Sequence, residues 1–123
     1  MSELDELLDQ IKSKYAVEIV PLKIGDKTLK LLQIKDFEEY VAGLVEDGSV
    51  PLLNLPFWAK VWESSFMLAY FLGRRPVVLG QRILEIGGGI GVAGIYAAMC
   101  GHKVTITDIN EDALLFARAN VLL

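Results

Sequence analysis

The chain of 123 residues has room for one compact domain or a part of one. Twelve Lys and Arg against sixteen Asp and Glu give a net charge of −4, so no basic field gathers phosphates, and the balance argues against nucleic acid as the primary ligand. An apolar fraction of 53% excludes a disordered chain, because there is enough apolar side chain to offset the entropy lost on folding.

Leu4, Leu7, Leu8, Ile11 and Tyr15 recur at the three-and-four spacing of one helical face, with Ser2 placed to cap the first turn and acidic residues suited to the positive end of the helix dipole. Residues 17–24 and 28–34 are β-branched and leucine-rich runs around Gly25-Asp26-Lys27, the pattern of a hairpin, and Pro21 marks an edge strand. Asp36 and Glu39 have capping-box spacing ahead of the stripe Phe37, Tyr40, Val41 and Leu44, which Gly48 can end. Pro51, Asn54 and Pro56 then break regular structure while leaving Leu52, Leu53, Leu55, Phe57 and Trp58 for packing. Residues 60–72 read as a nearly all-apolar helix, expected to be mostly buried and to stop at Gly73.

After Gly80 the pattern changes to strand 82–86, glycine loop, helix 91–100, strand 103–107 and helix 110–121, the alternation of parallel α/β proteins. The expected fold is therefore α/β. An N-terminal helix and hairpin extension, residues 1–80, precedes the opening of a Rossmann-like doubly wound sheet, residues 81–123. The longest uncharged stretch, residues 86–101, is interrupted by glycines and is shorter than the roughly 20 apolar residues of a membrane span. Acidic residues at the N-terminus are the reverse of a secretory leader, and Cys100 is the one cysteine, so a reducing, cytoplasmic setting is expected.

The chemistry concentrates in Glu85-Ile86-Gly87-Gly88-Gly89-Ile90-Gly91. Glycines between a strand and a helix allow a sharp turn and let a ligand approach bare backbone, and the amides opening the helix suit an anionic group. Asp108 ends the next strand, 19 residues after Gly89, where a carboxylate can take both hydroxyls of a ribose; a part in starting the next helix is the alternative for it. Two frames compete. Gly89-Ile90-Gly91-Val92-Ala93-Gly94 fits the dinucleotide pattern of an NAD(P)-linked oxidoreductase. The frame Glu85-x-Gly87-x-Gly89-x-Gly91 begins directly after the strand, is preferred for that reason, and resembles the first motif of class I, seven-strand S-adenosylmethionine-dependent methyltransferases.

A second segment, residues 57–68, with Trp62 at a helix start, resembles the family 16 protein lysine methyltransferases and their bacterial relatives. This resemblance covers about residues 55–121. It implies S-adenosylmethionine as cofactor and a protein lysine as substrate class. The family places the Trp62 indole against the cofactor, where its face suits a sulfonium cation. The cofactor set is thus Trp62, Glu85, Gly87, Gly88, Gly89, Gly91 and Asp108, with Glu85 supporting the loop or a ligand ammonium. The family's fold continues with further strands, including those that position substrate, so no catalytic residue is assigned. A noncatalytic cofactor-binding fragment or assembly module is the remaining alternative. Two parallel strands leave an open edge, so pairing with a second copy across it, or survival as a remnant of a longer product, is expected.

No metal site is expected. His102 stands without neighbouring ligands and reads as an exposed loop residue, and Cys100 reads as a small buried hydrophobe. Arg74 and Arg75 read as compensation of a helix end.

Overall fold

The structure, a computed structural model, describes residues 1–48 and 50–123; the side chain of Leu53, expected to pack, lies outside what it describes. Helix α1 (Glu3–Lys12) opens with a reciprocal cap: Ser2 accepts from the Asp5 amide, and the Asp5 carboxylate accepts from the Ser2 amide. Its apolar face buries Leu7 and Ile11. Strands β1 (Val17–Ile24) and β2 (Lys27–Ile34) pair antiparallel from Ile24↔Lys27 to Val17↔Ile34, so the turn is Gly25-Asp26 and Lys27 already belongs to the ladder. Pro21 sits in β1, which as half of a two-stranded ribbon is an edge strand.

Helix α2 (Phe37–Asp47) runs where the stripe predicts and ends on left-handed Gly48, but its start differs from expectation. Asp36 makes no side-chain cap bond because its own backbone is left-handed, with φ 49°. Two 3₁₀ turns, Leu52–Asn54 and Phe57–Ala59, follow. Leu55 and Ala59 are buried and Trp58 is half-buried, whereas Leu52 and Phe57 are exposed.

Helix α3 (Glu63–Arg74) starts later than expected, because the second 3₁₀ turn and extended residues leave Trp62 as its N-cap. Gly73 lies within the helix instead of ending it. A Cβ there would stand 2.5 Å from the Tyr96 ring, so glycine is required by the close approach of helix α4 (Val92–Met99). The expectation of a mostly buried helix is overturned: Ala69 alone among the described α3 residues is fully buried, and Met67, Tyr70 and Phe71 are exposed. The helix packs mainly against α4, and the described elements do not cover its outer face.

Strands β3 (Arg82–Glu85) and β4 (Lys103–Ile106) are parallel, joined through α4 (Val92–Met99), and α5 (Glu111–Leu122) follows with Asn110 as a two-bond N-cap. This is a βαβ unit of Rossmann-like character, so the chain is α/β. His102 is buried, contrary to expectation. Left-handed Gly101 turns the chain back beneath the end of α3, where His102 Nε2 bonds the Leu72 carbonyl at 3.0 Å. Cys100 is half-buried.

One core runs through these elements. Leu7 and Ile11 of α1, Leu29, Leu31, Leu32 and Ile34 of β2, Val92 and Tyr96 of α4 and Phe116 of α5 belong to it. Fully burying each such side chain contributes about 1.5–3 kcal/mol. The Phe116 ring packs edge-on against Tyr15 and Trp58, and Tyr15 donates to Asp112. The glycine loop is held at one margin of this core, since buried Ile90 belongs to both.

Candidate functional site

The loop after β3 is laced to the end of β4. Both the Thr107 amide and hydroxyl donate to the Glu85 carbonyl at 2.8 Å, and the Gly88 amide donates to the Thr107 carbonyl at 2.9 Å. Gly87, Gly89 and Gly91 then take left-handed φ values of 69°, 57° and 96°, a region that favours glycine.

The loop glycines differ in what fills the space of a missing side chain. At Gly87 a Cβ would meet nothing within 4 Å. At Gly89 it would stand 2.8 Å from the Trp58 carbonyl, and at Gly91 2.9 Å from Ile95. At Gly88 and at Gly94 it would run into Ile106 and the Glu85 carboxylate. Gly87 is therefore the open cradle, and its neighbours are glycine because protein already occupies the space.

Asp108 lies beside the loop. Its Oδ2 accepts the Gly89 amide at 2.9 Å, and its Oδ1 accepts the Asn110 amide at the same distance. The part in starting the next helix is seen, since Asp108 braces the turn into α5, and the same side chain touches the loop. Each oxygen has a further lone pair for another donor. The Glu85 carboxylate lies beneath Gly88 and Gly94, with Oε1 buried and making no hydrogen bond. Burial raises its pKa above the ordinary carboxylate value, while the nearby Gly94 amide at the start of α4 acts in the opposite direction. Trp62 is 44% exposed; its Nε1 donates to the Phe57 carbonyl at 3.2 Å, and the Lys60 ammonium stands 4.6 Å from its ring centroid.

A single cavity of about 590 Å³ is lined by all of Trp62, Glu85, Gly87, Gly88, Gly89, Gly91 and Asp108. That volume suits a ligand of nucleoside size. Its wall also includes Lys60, Ser64, Leu68 and Leu72, which sequence reasoning left out. The last three recur every four residues and so share one face of α3, a signal available in the sequence. Among the described residues no cluster of His, Cys, Asp or Glu could hold a metal ion, and no helix is long and apolar enough to cross a membrane.

A family model for lysine methyltransferases matches residues 57–123, more than half of the chain. The chain is 48% identical to protein N-lysine methyltransferase METTL21A of Danio rerio over 64 residues, which cover 51% of this chain and 29% of that protein. It is 37% identical to the electron transfer flavoprotein beta subunit lysine methyltransferase homolog of Caenorhabditis elegans over 67 residues, 53% of this chain and 28% of the relative. Histone-arginine methyltransferase METTL23 of Xenopus laevis is 31% identical over 91 residues, 72% of this chain and 37% of the relative. The chain thus spans less than two fifths of the length of these curated relatives.

Proposed function

The chain belongs to the family 16 lysine methyltransferases, and from that premise we propose that it carries the cofactor-binding part of an S-adenosylmethionine-dependent methyltransferase acting on lysine side chains of a protein. The observation that supports this reading most is the convergence on one cavity of an open glycine cradle at Gly87, a carboxylate at Asp108 and an aromatic face at Trp62. The relatives, all named as methyltransferases, favour methyl transfer over nicotinamide oxidoreduction.

The residues present fit the cofactor. Gly87 offers bare backbone with no Cβ to obstruct a ligand. Asp108 retains acceptor capacity for the two hydroxyls of a ribose. Glu85 belongs to the cavity wall, where its carboxylate supports the loop or suits a ligand ammonium. Trp62 offers a ring face to a cation, an attraction of about 0.5–2 kcal/mol depending on desolvation. Bound S-adenosylmethionine supplies a methyl group activated by attachment to a positively charged sulfur. The work of these residues is orientation and exclusion of water, for which no protein nucleophile is needed.

In this proposal residues 1–80 form the extension and 81–123 begin the cofactor-binding unit. The setting is cytoplasmic, and a second copy of the chain docks across the open edge of the β3–β4 pair. Calorimetric titration with S-adenosylhomocysteine, S-adenosylmethionine and NAD tests the assignment. Adenosyl sulfur ligands are expected to bind and NAD not to; binding of NAD alone overturns it.

A further inference from the structure

Asn120 is a polar side chain of α5 that is only 5% exposed, and its amide is engaged on two separate segments. Its Oδ1 accepts the Leu32 amide at 2.7 Å. Its Nδ2 donates to the Ile90 carbonyl at 2.9 Å and, at 3.4 Å, to the Leu32 carbonyl. Leu32 belongs to β2, outside residues 57–123 that the family model matches, whereas Ile90 lies in the glycine loop between left-handed Gly89 and Gly91. A buried amide of this kind is consequential, because losing one partner leaves a desolvated group without compensation.

The loop has other anchors on its far side. Asp108 holds the Gly89 amide, the Thr107 carbonyl holds the Gly88 amide, and the Gly91 amide closes the bend on the Gly88 carbonyl. Those contacts come from within the βαβ unit and tie the loop to β4 and to itself. The Asn120 contact differs in direction: it turns the Ile90 carbonyl inward and relays it to the hairpin backbone.

We infer that Asn120 is a positioning residue that straps the glycine loop to strand β2, so that the N-terminal hairpin, outside the matched family region, sets the loop conformation facing the cavity. The inference concerns the free protein. Only its consequence for ligand affinity rests on the function proposed above.

The experiment is amide hydrogen exchange on the full chain, comparing wild type with Asn120→Ala and Asn120→Asp. Ile24→Val, a core change in β1, serves as a destabilised control. In both Asn120 variants, exchange of the amides of residues 87–91 should accelerate by about tenfold or more relative to amides of α1, while Ile24→Val should leave that ratio unchanged. S-adenosylhomocysteine affinity measured by calorimetry should fall by a similar factor. Asn120→Asp keeps an acceptor for Leu32 and can donate to Ile90 only while its carboxyl is protonated, a form that burial favours. The acceleration in this variant is therefore read at a pH above that carboxyl's titration, and its loop exchange, corrected for intrinsic rates, should return toward wild type at low pH. If Asn120→Ala fails to fold, the Asp variant carries the comparison. Equal acceleration of loop and α1 amides, or no rescue at low pH, would reduce Asn120 to a residue of general stability. Failure of the wild type to bind S-adenosylhomocysteine would defeat the functional reading, while the exchange ratio still decides the strap.

Discussion

Gly87 and Gly89 share a left-handed backbone for different physical reasons, and substitution separates them. Gly87→Ala adds a methyl group to open space, so its stability loss should be limited to the backbone strain of about 1–2 kcal/mol. The same methyl group intrudes on the cavity, so adenosyl-ligand affinity should drop sharply. Gly89→Ala adds a clash with the Trp58 carbonyl to that strain, and urea unfolding should show a loss of roughly 2–5 kcal/mol. Glu85 provides the pH test. Its pKa is raised in the folded state, chiefly by burial, so folding favours its protonated form. Its stabilising contribution is complete below the ordinary carboxylate pKa and is lost as pH rises through the folded value. Glu85→Gln should therefore melt higher than wild type at neutral pH, and the difference should close on acidification. Melting curves of the two proteins across the carboxylate range check this, and a gap that persists at low pH would refute it. The loop and Asp108 were legible from spacing alone, because a strand–helix–strand unit brings the end of its second strand beside the loop after its first. The division of labour among the glycines was not legible, since it depends on Trp58 and Ile106, residues distant in sequence that only the folded chain brings near.

Helices and strands with a strong period were readable in the sequence: α1, the hairpin and the βαβ unit stand where alternation and three-and-four spacing put them. The misreadings have local causes. Asp36 has the residue type and spacing of a cap, yet the tight exit from β2 puts its backbone in the left-handed region, where its side chain makes no cap bond. Asp36→Gly should consequently raise stability, by about 0.5–1 kcal/mol in thermal or urea unfolding, whereas removing a working cap would lower it. A glycine before two arginines and a proline has the signature of a helix stop, yet Gly73 lies inside α3 and the Tyr96 ring supplies the reason for it. Burial of His102 arises from a long-range contact with the last turn of α3, which no local pattern encodes. The α3 face formed by Ser64, Leu68 and Leu72 is hard to read in the sequence, because apolar residues all round the helix mask the four-residue repeat that lines the cavity.

At the scale of the molecule, apolar surface is distributed unevenly. Leu84 of β3 and Ile86, just past the end of that strand, are 62% and 82% exposed, and Met67 of α3 is 76% exposed. Exposed apolar surface beside an unpaired strand edge favours association. Light scattering on the 123-residue chain should show species larger than a monomer, and Ile86→Lys should shift the distribution downward; a wild-type chain that stays monomeric at high concentration would contradict this. The two tryptophans face different surroundings. Trp58 is half-buried, its ring packed against Tyr15 and Phe116 where the core meets the cavity wall, while Trp62 stands half in solvent on the same wall with a lysine over its ring. The polypeptide thus carries two built-in fluorophores of unlike colour: a bluer emitter tied to the aromatic cluster, and a redder one on the solvent side of the cavity. Silencing either with phenylalanine would separate the signal of the cluster from that of the cavity mouth.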